Sequence, residues 1–394
     1  NRLDDKSNLN YLCAAGVTFM FLVSLNKYLR LINWFKEKKI QEPNLIEYLD
    51  LVSLGTVCDV VPLTGLNRAI VKQGLKVLKS KKNLGLKTLI DICGINTQPN
   101  VYHMGYVLGP RINAGGRVGK SSHGANLLLN NNAKEVFKIA SELDQFNKER
   151  QYLEEDVLNK IAIEANKTQS DPVIILSGKN WHEGVIGIVA SRLKDKFNKP
   201  VIIITVDKNL GKASARSIIG FDIGSIIIAA MQEKILIKGG GHKMAGGFTI
   251  DVNNIEKFKE FVLKKFKNKD KDHTKKKSLY LDSVISPAAL NIDFFNKINN
   301  LAPFGSGNPE PKFVIENLKT LNNKVIKNKH VKSVLLGQDG STIKTIAFNS
   351  AGNEIGAYLL KKDNKLFNIA GKLSLNEWKG QSNVEFIIDD ISVN

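Results

Sequence analysis

Residues 132–168 contain neither glycine nor proline, and a run of that length without a breaker commits the backbone to helix. Val136, Phe137, Ile139, Leu143, Phe146, Leu153, Val157 and Ile161 recur among charged residues there, which predicts one or two long helices serving as a connector. N-terminal to it, apolar residues keep helical spacing over 12–31, 45–52 and 69–78, with Gly and Pro between them, so one helical core is expected. C-terminal to it the period changes. Short β-branched runs at 172–176 and 200–205 flank the helical pattern 184–197, the signature of a βαβ unit in an α/β domain starting near residue 169. An amphipathic stretch at 255–266 closes that domain. The lysine-rich run 267–277 reads as a solvated tether that could also touch phosphate. Strands at 313–315, 332–336, 345–348, 368–373 and 384–388 then suggest a small oligonucleotide-binding (OB-like) β-barrel. The expected fold class is α/β, divided at 1–131, 132–168, 169–277 and 278–394.

The 394 residues exceed what one core organises. With 57 Lys+Arg against 38 Asp+Glu the formal charge is +19, the balance of a protein that meets a polyanion, nucleic acid first among them. A lysine-biased proteome gives the same excess, since Lys, Asn and Ile are frequent throughout. Cys13, Cys58 and Cys93 are odd in number and far apart, which argues against a disulfide framework and a cysteine zinc site and fits a reducing, cytoplasmic location. The apolar run 17–25 is too short to span a membrane. The chain opens on Asn1 rather than an initiator Met, as a fragment would.

Four segments carry chemistry. GGGHKMAGG at 239–247 frees backbone amides to approach an anion, with His242 and Lys243 adding charge; a plain loop joining two strands has the same composition. LGTVCDVVPL at 54–63 sets Asp59 in an apolar run, where a buried carboxylate needs a metal ion, an arginine or a helix N-cap role. LGPRINAGGR at 108–117 offers the amide of Asn113 and the guanidinium forks of Arg111 and Arg117, which match phosphate oxygens or an acidic helix equally well. SARSIIG at 214–220 lies between a strand and a helix, so Ser214 and Arg216 are expected at a helix N-terminus, an anion site.

In this order, with Asn1-Arg2, AAGV at 14–17, WHEGVIGIVASR at 181–192, APFGSGNPEPKF at 302–313 and NEWKG at 376–380, these segments resemble the RecJ family of single-strand-specific DNA exonucleases, in the DHH phosphoesterase superfamily. The resemblance spans essentially the whole chain. It implies the C-terminal part of a DHH domain, a connecting helix, a DHH-associated α/β domain and an OB-like barrel, with DNA held in a cleft between the first two domains. It implies 5′-to-3′ hydrolysis of single-stranded DNA in repair and recombination, with manganese or magnesium, two ions in the complete protein. Asp59 matches a metal ligand. Ser214 and Arg216 match the 5′-phosphate pocket, Arg111 and Asn113 the element lining the scissile bond, and Gly239, Gly240, Gly241 and His242 the loop holding the terminal phosphate. A single-strand-binding protein or a helicase is an expected partner, and a monomer the expected state.

The departure is equally specific. No Asp-His-His triplet occurs, nor the aspartate-rich strand motif before it, and Asp59 alone cannot hold two ions. His103, His123 and His182 have no ligand-pair spacing; His182 suits a substrate cleft and the other two a polar surface. A metal-dependent exonuclease, a catalytically silent strand-binding fragment and a dinucleotide phosphodiesterase therefore stay open. Arg68, outside every motif, is the reference position expected to be neutral.

Overall fold

The computed structural model describes residues 6–168, 171–267, 278–361, 365–378 and 381–393. The Asn1-Arg2 opening, most of the 267–277 tether and the end of NEWKG lie outside them.

The N-terminal helices are α1 (Ala14–Leu31), α2 (Trp34–Glu37), α3 (Leu49–Cys58) and α4 (Gly65–Lys79). Leu49 and Val52 of α3 pack on Ile70 of α4. A Cβ on Gly74 would lie 1.8 Å from the Ser53 hydroxyl and 2.2 Å from the Leu49 carbonyl, so only glycine allows this crossing. Helix α5 (Leu84–Ile92) follows, then a π-helical segment, His103–Leu108, that runs into α6 (Gly109–Val118), α7 (His123–Leu129) and α8 (Ala133–Lys167).

Helix α8 is a single 35-residue helix, capped by Asn132, whose side chain accepts from the Lys134 and Glu135 amides. Its buried residues, Val136, Ala140, Leu143, Asn147, Arg150, Glu154, Val157, Ile161 and Ala165, follow a three-and-four spacing along one face. Three of these are polar.

Next come β1 (Ile174–Lys179), α9 (Glu183–Phe197), β2 (Val201–Asp207), β3 (Leu210–Arg216), α10 (Ile223–Gln232), β4 (Lys238–His242), β5 (Ala245–Asp251) and α11 (Ile255–Lys267). The sheet order is β1-β2-β3-β5-β4, parallel only between β1 and β2. This is the expected βαβ unit, extended by antiparallel strands. One face carries Ile202, Ile204, Ala213, Ala215, Phe248 and Ile250 against α10 and α11. On the other, Ile174, Leu176, Val201 and Ile203 pack on α9 and on Val157, Ile161 and Ala165 of α8.

The C-terminal region holds β6 (Ser283–Val284), α12 (Ile292–Asn299), β7 (Phe313–Ile326), β8 (His330–Leu336), β9 (Thr342–Ala347), α13 (Glu354–Leu360), β10 (Phe367–Trp378) and β11 (Gln381–Val393). Pairing of β10 with β7 closes the β7-β8-β9-β11-β10 ladder into the expected five-stranded barrel. Helices α12 and α13, whose apolar faces pack on the barrel core, were not foreseen.

The chain divides into two compact units. One comprises Asn1–Ser80, Pro99–Met104 and Ser278–Asn394, and the other Lys81–Gln98 and Gly105–Lys277. Asp59 belongs to the first; Arg111, Asn113, Ser214, Arg216 and the glycine-rich segment belong to the second.

Candidate nucleic-acid interface

Strand register assembles the site. Across β3, β5 and β4, Arg216 faces Ala245 and Ala245 faces His242; Ser214 faces Gly247, which faces Gly240; Lys212 faces Thr249, which faces Lys238. Directly opposed residues project to the same side of a sheet. Ser214, Gly240, Gly247, Thr249, Lys212 and Lys238 accordingly line one open groove of about 620 Å³. The floor is bare because a Cβ on Gly240 would meet nothing within 4 Å. Gly239 and Gly246 serve the opposite face, where their Cβ positions run into Ile227 of α10.

The segment 239–247 is thus a β-hairpin and not a free loop, a correction to the anion-loop expectation. Alternation splits its glycines between an open groove and a close helix contact. His242 is exposed and its Nδ1 accepts from the Met244 amide across the turn. Ser214 and Arg216 are also placed differently from expectation. They lie on β3, and α10 begins at Ile223, capped by the Asp222 side chain. The helix beside them is α9, where a Cβ on Gly187 would stand 2.9 Å from Arg216 Nη2 and 3.0 Å from Ser214 Oγ.

Arg216 is half-buried. Its Nη1 donates to Ser214 Oγ at 3.1 Å and to the Ala215 carbonyl at 2.8 Å, and among the described residues no carboxylate pairs with it. Burial, with the positive charge of Arg117 behind it, holds this guanidinium below its ordinary pKa. Arg117 donates from Nη1 to the Gly184 carbonyl at 3.0 Å. A half-buried cation facing another cation favours an anion as its missing partner.

Beneath lies a charge network that the sequence did not signal beyond placing arginines in two motifs. Glu154 of α8, 1% exposed, accepts from Arg150 Nη1 at 2.8 Å and contacts Arg192 Nε of α9. Arg150 also donates to Asn147 Oδ1 at 3.1 and 3.3 Å. Burial lowers the Arg150 pKa against the pull of Glu154, and the charges of Arg117 and Arg192 act in the same direction as burial.

Arg111 sits in α6 and is already paired, as the acidic-helix alternative has it: Nε donates to Asp144 of α8 at 2.8 Å and Nη1 to the Val107 carbonyl at 2.9 Å. Asn113 is exposed. His182 caps α9, its Nδ1 accepting from the Gly184 amide at 3.1 Å. His123 is not the polar surface residue expected: it is half-buried, 2.8 Å from Glu142.

In the other unit Asp59 is exposed, so the buried-carboxylate expectation is corrected. It forms the C-cap of α3, not an N-cap, and Val60 at φ 55° turns the chain outward. Burial first, then the Asp59 charge, push the neighbouring Cys58 thiol up to about 11. Among the described residues no group of three His, Cys, Asp or Glu side chains converges to hold a metal ion, so these donors do not fit a two-ion centre. The segment after Asp59 instead docks on the 302–313 motif. The Leu63 amide donates to the Ser306 carbonyl at 2.6 Å, and Gly307, at φ 70°, brings its backbone against Pro62. Arg68 is no bystander: Nη2 donates to the Leu301 and Ala302 carbonyls at 2.6 and 3.4 Å.

On the barrel, Lys332, Lys312 and Lys372 pair with Glu385, Asp389 and Glu310. Phe348 is exposed beside His330, and Lys361 lies over the Tyr358 ring. No helix among the described residues is long and apolar enough to cross a membrane.

Residues 151–268 match the DHHA1 domain and residues 281–390 the RecJ OB domain. This domain order places the chain in the class that carries a DHHA1 sheet followed by an OB barrel. It is 32% identical to the single-stranded-DNA-specific exonuclease RecJ of Salmonella typhimurium, over 96% of this chain and 67% of that protein. Against RecJ of Escherichia coli the identity is 31%, with the same coverage. The crystal structure of RecJ from Thermus thermophilus in complex with Mn2+ superimposes with a TM-score of 0.77 at 29% identity, covering 91% of this chain and 51% of that one. The same protein has been solved with Mg2+. The chain belongs to the RecJ family of single-stranded-DNA-specific exonucleases. It spans about two thirds of the enterobacterial relatives and about half of the Thermus structure.

Proposed function

We propose that this chain grips single-stranded DNA by a phosphorylated 5′ end and serves 5′-to-3′ exonucleolytic hydrolysis in DNA repair and recombination. One observation carries the reading: Arg216, half-buried and without a carboxylate partner among the described residues, shares a row with His242 beside an open groove floored by glycine. A terminal phosphate supplies the missing anion. The Arg216 fork would take two of its oxygens, with Ser214 Oγ and His242 on either side. Arg117 would add charge without a direct bond. The barrel would bind single strands through Phe348 and Tyr358, whose exposed rings offer faces on which bases stack.

Manganese or magnesium is the metal proposed for the hydrolysis, and Asp59 the residue that this chain would offer. Because the described donors do not make a metal centre, what the chain contributes by itself is binding and end selection. The same observation favours a second, narrower reading, in which this chain alone binds strands without cutting them.

The test is fluorescence anisotropy in EDTA with four labelled oligonucleotides, single-stranded and duplex, each with 5′-phosphate or 5′-hydroxyl. Single strands should bind more tightly than duplex, 5′-phosphorylated ends most tightly, and affinity should fall steeply with salt as counterions are released. Equal affinity for blunt duplex and single strand would refute the proposal.

A further inference from the structure

Helices α6, α8 and α9 meet at one point of the second unit, where the Arg117 carbonyl comes within 2.4 Å of the Cβ position of Gly184. Five charges gather around this junction: Arg117 from α6, Arg150 and Glu154 from α8, Arg192 from α9, and Arg216 from β3. Four are cations. Glu154 is the one carboxylate in the group, and it is spent on two of them, since Arg150 bonds it at 2.8 Å and Arg192 contacts its other oxygen. Asn147 takes further Arg150 donors. Among the described residues, Arg117 and Arg216 donate only to carbonyls and a hydroxyl. The junction therefore sorts its guanidiniums into a compensated pair and an uncompensated pair.

Resting on the phosphate-end reading above, we propose that Glu154 is a specificity-determining residue: by neutralising and orienting Arg150 and Arg192 it withholds them from the strand, leaving Arg117 and Arg216 to select the terminal phosphate. Arg192 is the residue on which this matters most. Its side chain is 60% exposed, so without Glu154 it is a mobile surface cation on the helix that flanks Ser214 and Arg216. Such a cation would bind any phosphate, internal or terminal, because a flexible charge attracts anions without reading their position.

The consequence runs against the usual result of removing a buried charge. Glu154→Gln keeps the shape and an accepting oxygen while releasing both arginines from ionic pairing. Binding of a 5′-hydroxyl strand should tighten by about threefold to tenfold, while binding of the 5′-phosphorylated strand changes less, so the phosphate preference shrinks. A residue that only supported the fold would weaken both. The experiment is anisotropy in EDTA with a 5′-phosphorylated and a 5′-hydroxyl thymidine oligonucleotide, for wild type, Glu154→Gln and Glu154→Gln/Arg192→Gln. The double variant should return most of the lost preference. A preference unchanged in Glu154→Gln, or both strands binding more weakly to a folded variant, overturns the proposal. Should Glu154→Gln fail to fold, Arg192→Gln decides: a silenced arginine leaves affinity for both strands within about twofold, and a loss of about fivefold or more shows that it already holds the strand. If wild type shows no 5′-phosphate preference, the end-recognition reading has failed instead, and the specificity role falls with it.

Discussion

Arg216 and His242 stand in one row across the sheet, each opposite Ala245 on the strand between them. Twenty-six positions separate them in sequence, and neither lies on a helix N-terminus. Their juxtaposition is a product of antiparallel register, which sets two separate basic positions in one row, next to the row of Ser214, Gly247 and Gly240 that lines the groove.

Arg216→Ala should therefore remove the charge-assisted fork from the site and cost about 1.5–3 kcal/mol of 5′-phosphate preference. The measurement is the ratio of affinities for phosphorylated and hydroxyl ends by anisotropy. Lys257→Ala is the reference, because Lys257 is exposed on α11, the helix covering the other face of the sheet. An unchanged ratio in folded Arg216→Ala would make the arginine structural.

The hairpin glycines should separate by face. Gly240→Leu fills open space, so thermal stability should stay within about 0.5 kcal/mol of wild type while oligonucleotide affinity drops as the groove floor rises. Gly241→Ala places a Cβ 2.4 Å from the Ala245 carbonyl and 2.5 Å from Gly246 Cα, so it should lose about 1–3 kcal/mol in denaturant titration. The reverse ranking in stability would contradict this division.

Arg68→Ala should loosen the contact between the turn after Asp59 and the 302–313 motif. Hydrogen bonds from a charged donor to two carbonyls are lost, about 1–2 kcal/mol after allowing for partial exposure. Hydrogen exchange at the Leu63 amide, which donates to Ser306, should accelerate. Retention of full protection there would show that Arg68 is dispensable to the junction.

Asp59→Ala should leave stability within about 0.5 kcal/mol, because the carboxylate is exposed and the C-cap of α3 is made by the Asp59 backbone amide, which alanine keeps. Calorimetric titration of manganese into this 394-residue chain should give no tight, saturable site, given that no trio of donor side chains converges among the described residues. A tight site abolished by Asp59→Ala would overturn the view that these donors are insufficient.

Much of the architecture was legible in the amino-acid order, because local pattern reports which face of an element is buried. The breaker-free run at 132–168 became α8, the β-branched runs around 184–197 became a parallel βαβ unit, and the alternating segments after 278 became the barrel. Motif order sufficed for the family. Spacing within a segment does not encode what meets it from elsewhere, and there the tertiary structure decided. Asp59 looked buried because its neighbours are apolar, yet a helix end and the positive φ of Val60 turn it to solvent. Ser214 and Arg216 looked like a helix N-terminus, but the strand extends through them, and register gives them their partners. Arg68 bonds a carbonyl 233 positions away, and Glu154, one charged residue among many on a long helix, becomes the buried counter-ion of two arginines. Such pairs exist only once packing excludes water from between them, since it is desolvation that makes one partner and not another worth choosing.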